Sequence, residues 1–321
     1  MSPGPRQRYG YFRNTLLVSI VITLLPGCAS TKPPPEPPFA VSMAQRATDK
    51  AAKLSQAQNW SAAAREWQTA ADQYHLLNDQ AHEAVALHNL AQAKRELGKL
   101  EEARQLFAQA AKINEELKHD REEWRNQVAL LQVEAQLDQR DVLSAKFEKL
   151  LPRAGEISDP AIHGLFLNEL GLWQQNRHEF GAAQTALKQA EQQFQSAKDD
   201  YGVAVVTANR ARLCEQQKDF AAALDAWRLA LARFEKLADG RGIAAALAGE
   251  GRSLLASSGD LGAAEKLLRR AVESYRRLKR ADELADTLQA LEMCLAAQHR
   301  DTEAAEVRKE LDQLPSRPAP K

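Results

Sequence analysis

Residues Asn89–Ala110 read NLAQAKRELGKLEEARQLFAQA. Small side chains stand at Ala91, Ala103 and Ala110, an aromatic ring at Phe107 and a glycine at Gly98. The intervals of four and three from Ala103 through Phe107 to Ala110 put small, large and small side chains on one face of a helix. Alanine at the outer two places lets a neighbouring backbone come close. Gly98 falls between the two runs, where a helix would end and the chain reverse. The stretch therefore predicts a helical hairpin.

Outward from this stretch the pattern returns every 40 residues. The column of Ala103 is Ala63, Ala103, Leu143, Ala183, Ala223 and Ala263. Four residues on stand Trp67, Phe107, Phe147, Leu187, Trp227 and Leu267; three further stand Ala70, Ala110, Leu150, Ala190 and Ala230, with Ala271 after a one-residue slip. Twelve residues before the first column come Ala51, Ala91, Leu131, Gly171, Ala211 and Gly251. Asp79, Asp159, Asp199 and Asp239 recur where one hairpin gives way to the next, a place where an Asp side chain accepts from free helix-start amides. A fixed period of this length, built from hairpins that cannot bury their apolar faces alone, predicts an all-α solenoid, an α-α superhelix of stacked hairpins over residues 43–312.

These columns resemble the tetratricopeptide repeat family, most closely in Asn89-Leu90-Ala91 followed by Gly98, Ala103, Phe107 and Ala110. The family's usual period is about 34 residues. The proline that commonly closes its second helix is replaced here by His75, Glu115, Gly155, Gln195 and Glu235. Without that breaker the second helix runs on, and the further apolar column Leu77, Leu117, Ile157, Ala197, Leu237 and Leu278 extends it. In the third repeat leucine takes the small positions (Leu131, Leu143, Leu150), and Pro152 with Gly155 interrupts the second helix; looser or bent packing is expected over 131–160. Ala304, Ala305 and Leu311 sit among Glu and Arg, as in a solvent-facing terminal cap. Residues 313–321 read as a disordered tail.

The opening of the chain has a different character. Arg6, Arg8 and Arg13 precede an apolar run from Thr15 to Leu25 and then Pro26-Gly27-Cys28, the layout of a secretory signal over residues 1–27. The run is about half of the ~20 residues needed to span a bilayer. Leu25-Pro26-Gly27-Cys28 resembles the bacterial lipobox, although that pattern usually has a small or β-branched residue where Pro26 stands. The resemblance implies cleavage before Cys28 and lipid on its sulfur. Several acyl chains would anchor the mature chain stably. Ala29, rather than Asp, follows the cysteine; by the behaviour of Gram-negative lipoproteins this implies the outer membrane, facing the periplasm. Residues 28–42 then form a tether whose Lys32–Pro38 segment, KPPPEPP, favours extended polyproline II.

Composition narrows the function. The chain carries 43 basic and 43 acidic residues; removal of the signal's three arginines leaves 40 against 43, a mature charge near −3. Neither a basic excess nor a basic stripe marks a nucleic-acid binder. Cys214 and Cys294 occupy equivalent places two repeats apart, roughly 20 Å at about 10 Å per packed layer, beyond the ~7 Å between α-carbons that a disulfide needs. His82, Glu83 and His88 lack the four-residue histidine spacing of a helical zinc pair, so no metal site is assigned. Gly240-Arg241-Gly242 is a turn, and Gly249 and Gly251 are close-packing positions. No nucleophile motif is present. The expectation is a chain that is no enzyme and takes no cofactor beyond the lipid on Cys28.

The tetratricopeptide resemblance implies a concave groove lined by the first helix of each hairpin, in which an extended protein or peptide partner lies. Carried over position by position, its inward column is Gln92, Gln132, Leu172, Arg212 and Arg252, with Arg95, Gln175 and Glu215 beside it. Asn89 and Asn209 match a position that in relatives hydrogen-bonds ligand backbone, and Arg212 and Arg252 are suited to acidic groups. The lysine–asparagine carboxylate clamp of some relatives is not reproduced. The functional expectation is a lipid-anchored scaffold for envelope, secretion or pilus-type assembly machinery; a self-associating structural lipoprotein is the alternative.

Overall fold

The computed structural model describes residues 39–257 and 259–314; the signal, Cys28, most of the tether and residues 315–321 lie outside the described residues. The described chain folds into fourteen α-helices arranged in seven hairpins. It forms two compact units, the first ending at Ile157 and the second beginning at Ser158. The first unit holds α1 (Phe39–Gln56), α2 (Trp60–Leu76), α3 (Gln80–Glu96), α4 (Leu100–Glu116), α5 (Asp120–Gln136), α6 (Arg140–Leu150) and a 3-10 turn, Leu151–Glu156. The second holds α7 (Pro160–Asn176), α8 (Phe180–Ser196), α9 (Asp200–Gln216), α10 (Phe220–Lys236), α11 (Gly240–Ala256), α12 (Leu261–Arg277), α13 (Ala281–Ala297) and α14 (Asp301–Gln313). Odd-numbered helices open each hairpin and even-numbered ones close it. Helix α1 starts at Phe39, four residues before the expected start of the repeats. Among the described residues no helix is long and apolar enough to cross a membrane.

The 40-residue period comes from two helices of 17 residues joined by three-residue turns. Eleven of these turns hold a residue in the left-handed region: Gln58, Asn78, Lys118, Asp138, His178, Lys198, Lys218, Ala238, Lys279 and His299 have φ between 52° and 62°, and Gly98 has φ 74°. Around Asn78 the bonds are Asn78 N–H to His75 O (3.0 Å) and Asp79 N–H to Tyr74 O (2.9 Å). This paired motif satisfies carbonyls the helix end would otherwise leave open. The expected aspartates then start the next helix: Asp79 accepts from His82 N, Asp159 from Ala161 and Ile162 N, Asp199 from Gly202 N, and Asp239 from Arg241 and Gly242 N.

The small and large columns are buried as the periodicity requires, with Ala103, Phe107 and Ala110 fully enclosed. One assignment is corrected. The extra residue lies in the turn between α11 and α12, which spans four residues (257–260) instead of three. The buried positions there are accordingly Ala264, Leu268 and Ala271, in place of Ala263 and Leu267. A turn accommodates an added residue; a helix would have to rotate its apolar face by about 100°.

A second aromatic column closes the hairpins: Tyr74, Phe194, Phe234 and Tyr275 are all buried near the ends of their helices. Tyr74 stacks on His82 at the start of α3, with ring centroids 5.0 Å apart. In the third hairpin this place falls to Ala154 in the 3-10 turn, and a different dock replaces the ring. Arg153 donates from both Nη atoms to Glu123 of α5 (3.3 and 3.2 Å), while its guanidinium lies 5.3 Å from the centre of the Trp124 ring. At the far end, Arg308 takes the large-residue position of α14 and pairs with Glu292. Arg276 holds Glu310 through both carboxylate oxygens, and Arg300 binds Glu265. Charge therefore docks a helix that buries only Ala304 fully.

Candidate functional site

In the first unit the inward residues of α3 and α5 meet. Arg95 donates to Gln132 Oε1 at 2.8 Å, and Gln132 is largely buried. Beside them His88 is buried with Nδ1 2.7 Å from Asn126 Oδ1, and Asn126 Nδ2 donates to the Glu122 carbonyl at 2.8 Å. That second bond fixes the amide's orientation, so His88 carries its proton on Nδ1. Its Nε2 then accepts from Gln92 Nε2 at 3.4 Å. Burial, with Arg125 and Arg95 nearby, holds the His88 imidazolium well below the usual histidine range. Asn89 Nδ2 donates to Val85 O in its own helix. His82 bonds Asp79 and Glu83 takes His75, so the residues weighed as a metal set face separate partners.

The second unit carries a longer polar ladder across α7, α9 and α11. Asn168 donates to Glu169 (3.2 Å) and Asn209 donates to Asn168 Oδ1 (2.7 Å). Arg212 Nη1 in turn donates to Asn209 Oδ1 (2.7 Å). Asn209 is 3% exposed, and its amide is engaged at both ends; it orients Arg212. The Arg212 guanidinium also lies over the Trp227 ring, 5.4 Å from its centroid. Trp227 Nε1 and Ser253 Oγ both donate to Glu215 Oε1 (3.0 and 2.8 Å), while Arg252 approaches Glu215 Oε2 at 3.7 Å. Leu172 is buried.

Several of these partners escaped the sequence reading. Asn126, Asn168 and Ser253 matter through contacts made between repeats, 37 to 41 residues apart for the pairs Arg95–Gln132, His88–Asn126, Ser253–Glu215 and Asn209–Asn168. One signal was available. Trp67 Nε1 donates to Ser55 and Trp227 Nε1 to Glu215, each twelve residues back. A tryptophan in the large column thus calls for an acceptor one hairpin-turn earlier. Among the described residues no group of three or more His, Cys, Asp or Glu is placed to hold a metal ion. Cys214 and Cys294 are free thiols.

The family model for the tetratricopeptide repeat matches residues 84–117, which lie in the α3–α4 hairpin. No curated protein matches the sequence. Among solved structures the chain is similar to aspartyl phosphate phosphatase F from Bacillus subtilis, at 12% identity over 85% of this chain and 70% of that one, with a TM-score of 0.67. It is similar to the apo form of the quorum sensor NprR from B. thuringiensis, at 13% identity over 85% of this chain and 75% of that one, TM-score 0.68. It is also similar to a Rap protein complexed with competence and sporulation factor, at 13% identity over 84% and 78%, TM-score 0.59. At these identities the likeness is one of fold. The α3–α4 hairpin thus matches the tetratricopeptide repeat model, and the rest of the chain shares with these structures an all-α fold of helical hairpins.

Proposed function

We propose that the chain is a protein-binding scaffold whose first-helix faces receive an extended stretch of a partner polypeptide. The observation that carries this reading is the polar ladder of the second unit, in which a buried asparagine is spent on orienting Arg212 rather than on packing. Buried amides so arranged hold a recognition side chain in one geometry. The reading is supported by structural neighbours whose names describe a quorum sensor and a complex with a factor. The lipobox-like Leu25–Cys28 supports a lipid on Cys28, and Ala29 supports the outer membrane facing the periplasm. There the scaffold would serve envelope, secretion or pilus-type assembly machinery, with no catalytic step of its own.

The test is capture from detergent-solubilised envelopes by the full chain and by the double variant Arg212→Glu with Arg252→Glu. The expected result is a defined partner lost in the variant while its helical circular dichroism stays unchanged. Equal capture by both would remove this face from the binding site.

A further inference from the structure

Residues 261–280, helix α12 and the turn after it, carry seven lysines and arginines against two glutamates, in a chain whose 43 basic and 43 acidic residues cancel. In linear order the acids stand among the cations. The fold sorts them. Arg269 binds Glu265 (2.8 Å) and Glu303 (3.3 Å), and Arg276 holds both carboxylate oxygens of Glu310 on α14. Glu265 is taken a second time by Arg300, and Arg280 closes on Glu283. The nearby acids are thereby largely consumed.

What remains is a ridge. Lys266, Arg270 and Arg277 lie on one face of α12 by the helical period, opposite the buried Ala264, Leu268, Ala271 and Tyr275. Lys266 and Arg270 are exposed and have no ion-pair partner among the described residues, while Arg277 shares Glu273 with Arg276 (3.0 and 3.8 Å). The preceding second helix, α10, continues the surface. Lys236 holds there the place of Arg277 one repeat earlier, and it too is exposed and unpaired among the described residues. Leu229 holds the place of Arg270 and is 47% exposed. Asp225 and Glu273 are the acids within the patch; Glu306 of α14 bounds it on one side, and the uncharged Gln189 and Gln192 of α8 on the other.

We infer that this ridge of α12 and α10 is a docking surface for the anionic headgroups of a phospholipid bilayer. The inference rests on the lipid attachment proposed above, which keeps the chain beside a membrane. It adds an orientation, with these second helices against the lipid and the first-helix face of the same unit left for the partner. The cations are spread over roughly 16 Å of α12, from Lys266 to Arg277 at about 1.5 Å per residue. That spread fits many headgroups in one plane better than a single acidic side chain. An exposed leucine among cations suits the boundary between headgroups and acyl chains. Each uncompensated cation at such a surface strengthens binding roughly fivefold, and salt screens the attraction.

The experiment purifies the intact chain from whole cells with a photoreactive residue in place of Leu229. The chain is reconstituted with vesicles of phosphatidylcholine alone, or of equal parts phosphatidylcholine and phosphatidylglycerol. Vesicles are floated and illuminated, and lipid adducts at position 229 are measured by mass spectrometry. The expected result is flotation with both vesicles and adducts about tenfold more abundant on the anionic ones. The triple variant Lys236→Gln, Lys266→Gln, Arg270→Gln should lose at least about tenfold of those adducts while keeping the parent's helical circular dichroism, because all three side chains face solvent. Equal adducts on both vesicles, adducts that survive the triple substitution, or no lipid adduct would each overturn the surface. So would an acidic protein captured from position 229 in intact cells in place of lipid. Flotation reads the anchor separately. Flotation with both vesicles and no adduct removes the surface and keeps the anchor; flotation and adducts on the anionic vesicles alone keep the surface and remove the anchor. If the chain floats with neither, both fail.

Discussion

Gly249 has space for a hydrogen and little else: a Cβ built there would lie 2.2 Å from Cε2 of Trp227. Gly249→Ala should therefore force the indole or α11 aside and cost about 1–3 kcal/mol, read as a lowered urea midpoint at unchanged slope. An unaltered midpoint would mean that α10 and α11 pack less closely. The opposite sign is expected at Ala238, whose φ of 52° strains an L-residue. Ala238→Gly should raise stability by about 0.5–1 kcal/mol, the left-handed penalty outweighing the added freedom of the unfolded chain. His88 gives a pH dependence. Its folded form resists protonation while the unfolded chain protonates near the ordinary value, so the unfolded state binds more protons. Stability is then complete above about pH 6.5 and declines as pH falls through that value toward the depressed folded pKa. The loss of unfolding free energy between about pH 7.5 and 5.5 should be larger for the parent than for His88→Gln; equal losses would show that the imidazole is not desolvated.

At the scale of the element, most of the fold was legible because a 40-residue repeat writes the same contact many times. Ala103, Phe107 and Ala110 could be placed in a core by their columns alone, and Asp79 and Asp239 could be placed at helix starts. The misplaced slip shows the limit of that method. Ala263 and Ala264 are both alanine and Leu267 and Leu268 both leucine, so composition could not choose between two registers one residue apart. The structure chose the one that puts the insertion in a turn. The candidate site was less legible. Arg212 and Arg252 followed from position, whereas Asn168 and Ser253 are read only when helices a repeat apart are set side by side. Ala103→Asp tests the register directly: an uncompensated carboxylate among enclosed alanines should unfold the α3–α4 hairpin and abolish its amide protection in hydrogen exchange. Native protection there would contradict the column assignment.

For the whole molecule, two compact units carry polar faces on their first helices, and the lipobox-like Leu25–Cys28, proposed above as a lipid attachment signal, precedes both in the sequence. The anchoring part of the proposal stands apart from the binding part, and Cys28→Ala isolates it. In cells this variant should lose incorporation of labelled fatty acid and leave the outer-membrane fraction; retention of both would rule out Cys28 as the attachment point. The central claim, that partners are received on first-helix faces, is tested most directly by photo-crosslinking in cells. A photoreactive residue is placed singly at Gln92 and Arg252 on first helices, and at the exposed Lys188 and Arg270 on second helices. The account predicts one discrete heterologous product from Gln92 or Arg252 and none from Lys188 or Arg270. The same product from the second helices, or self-crosslinks alone, would contradict it.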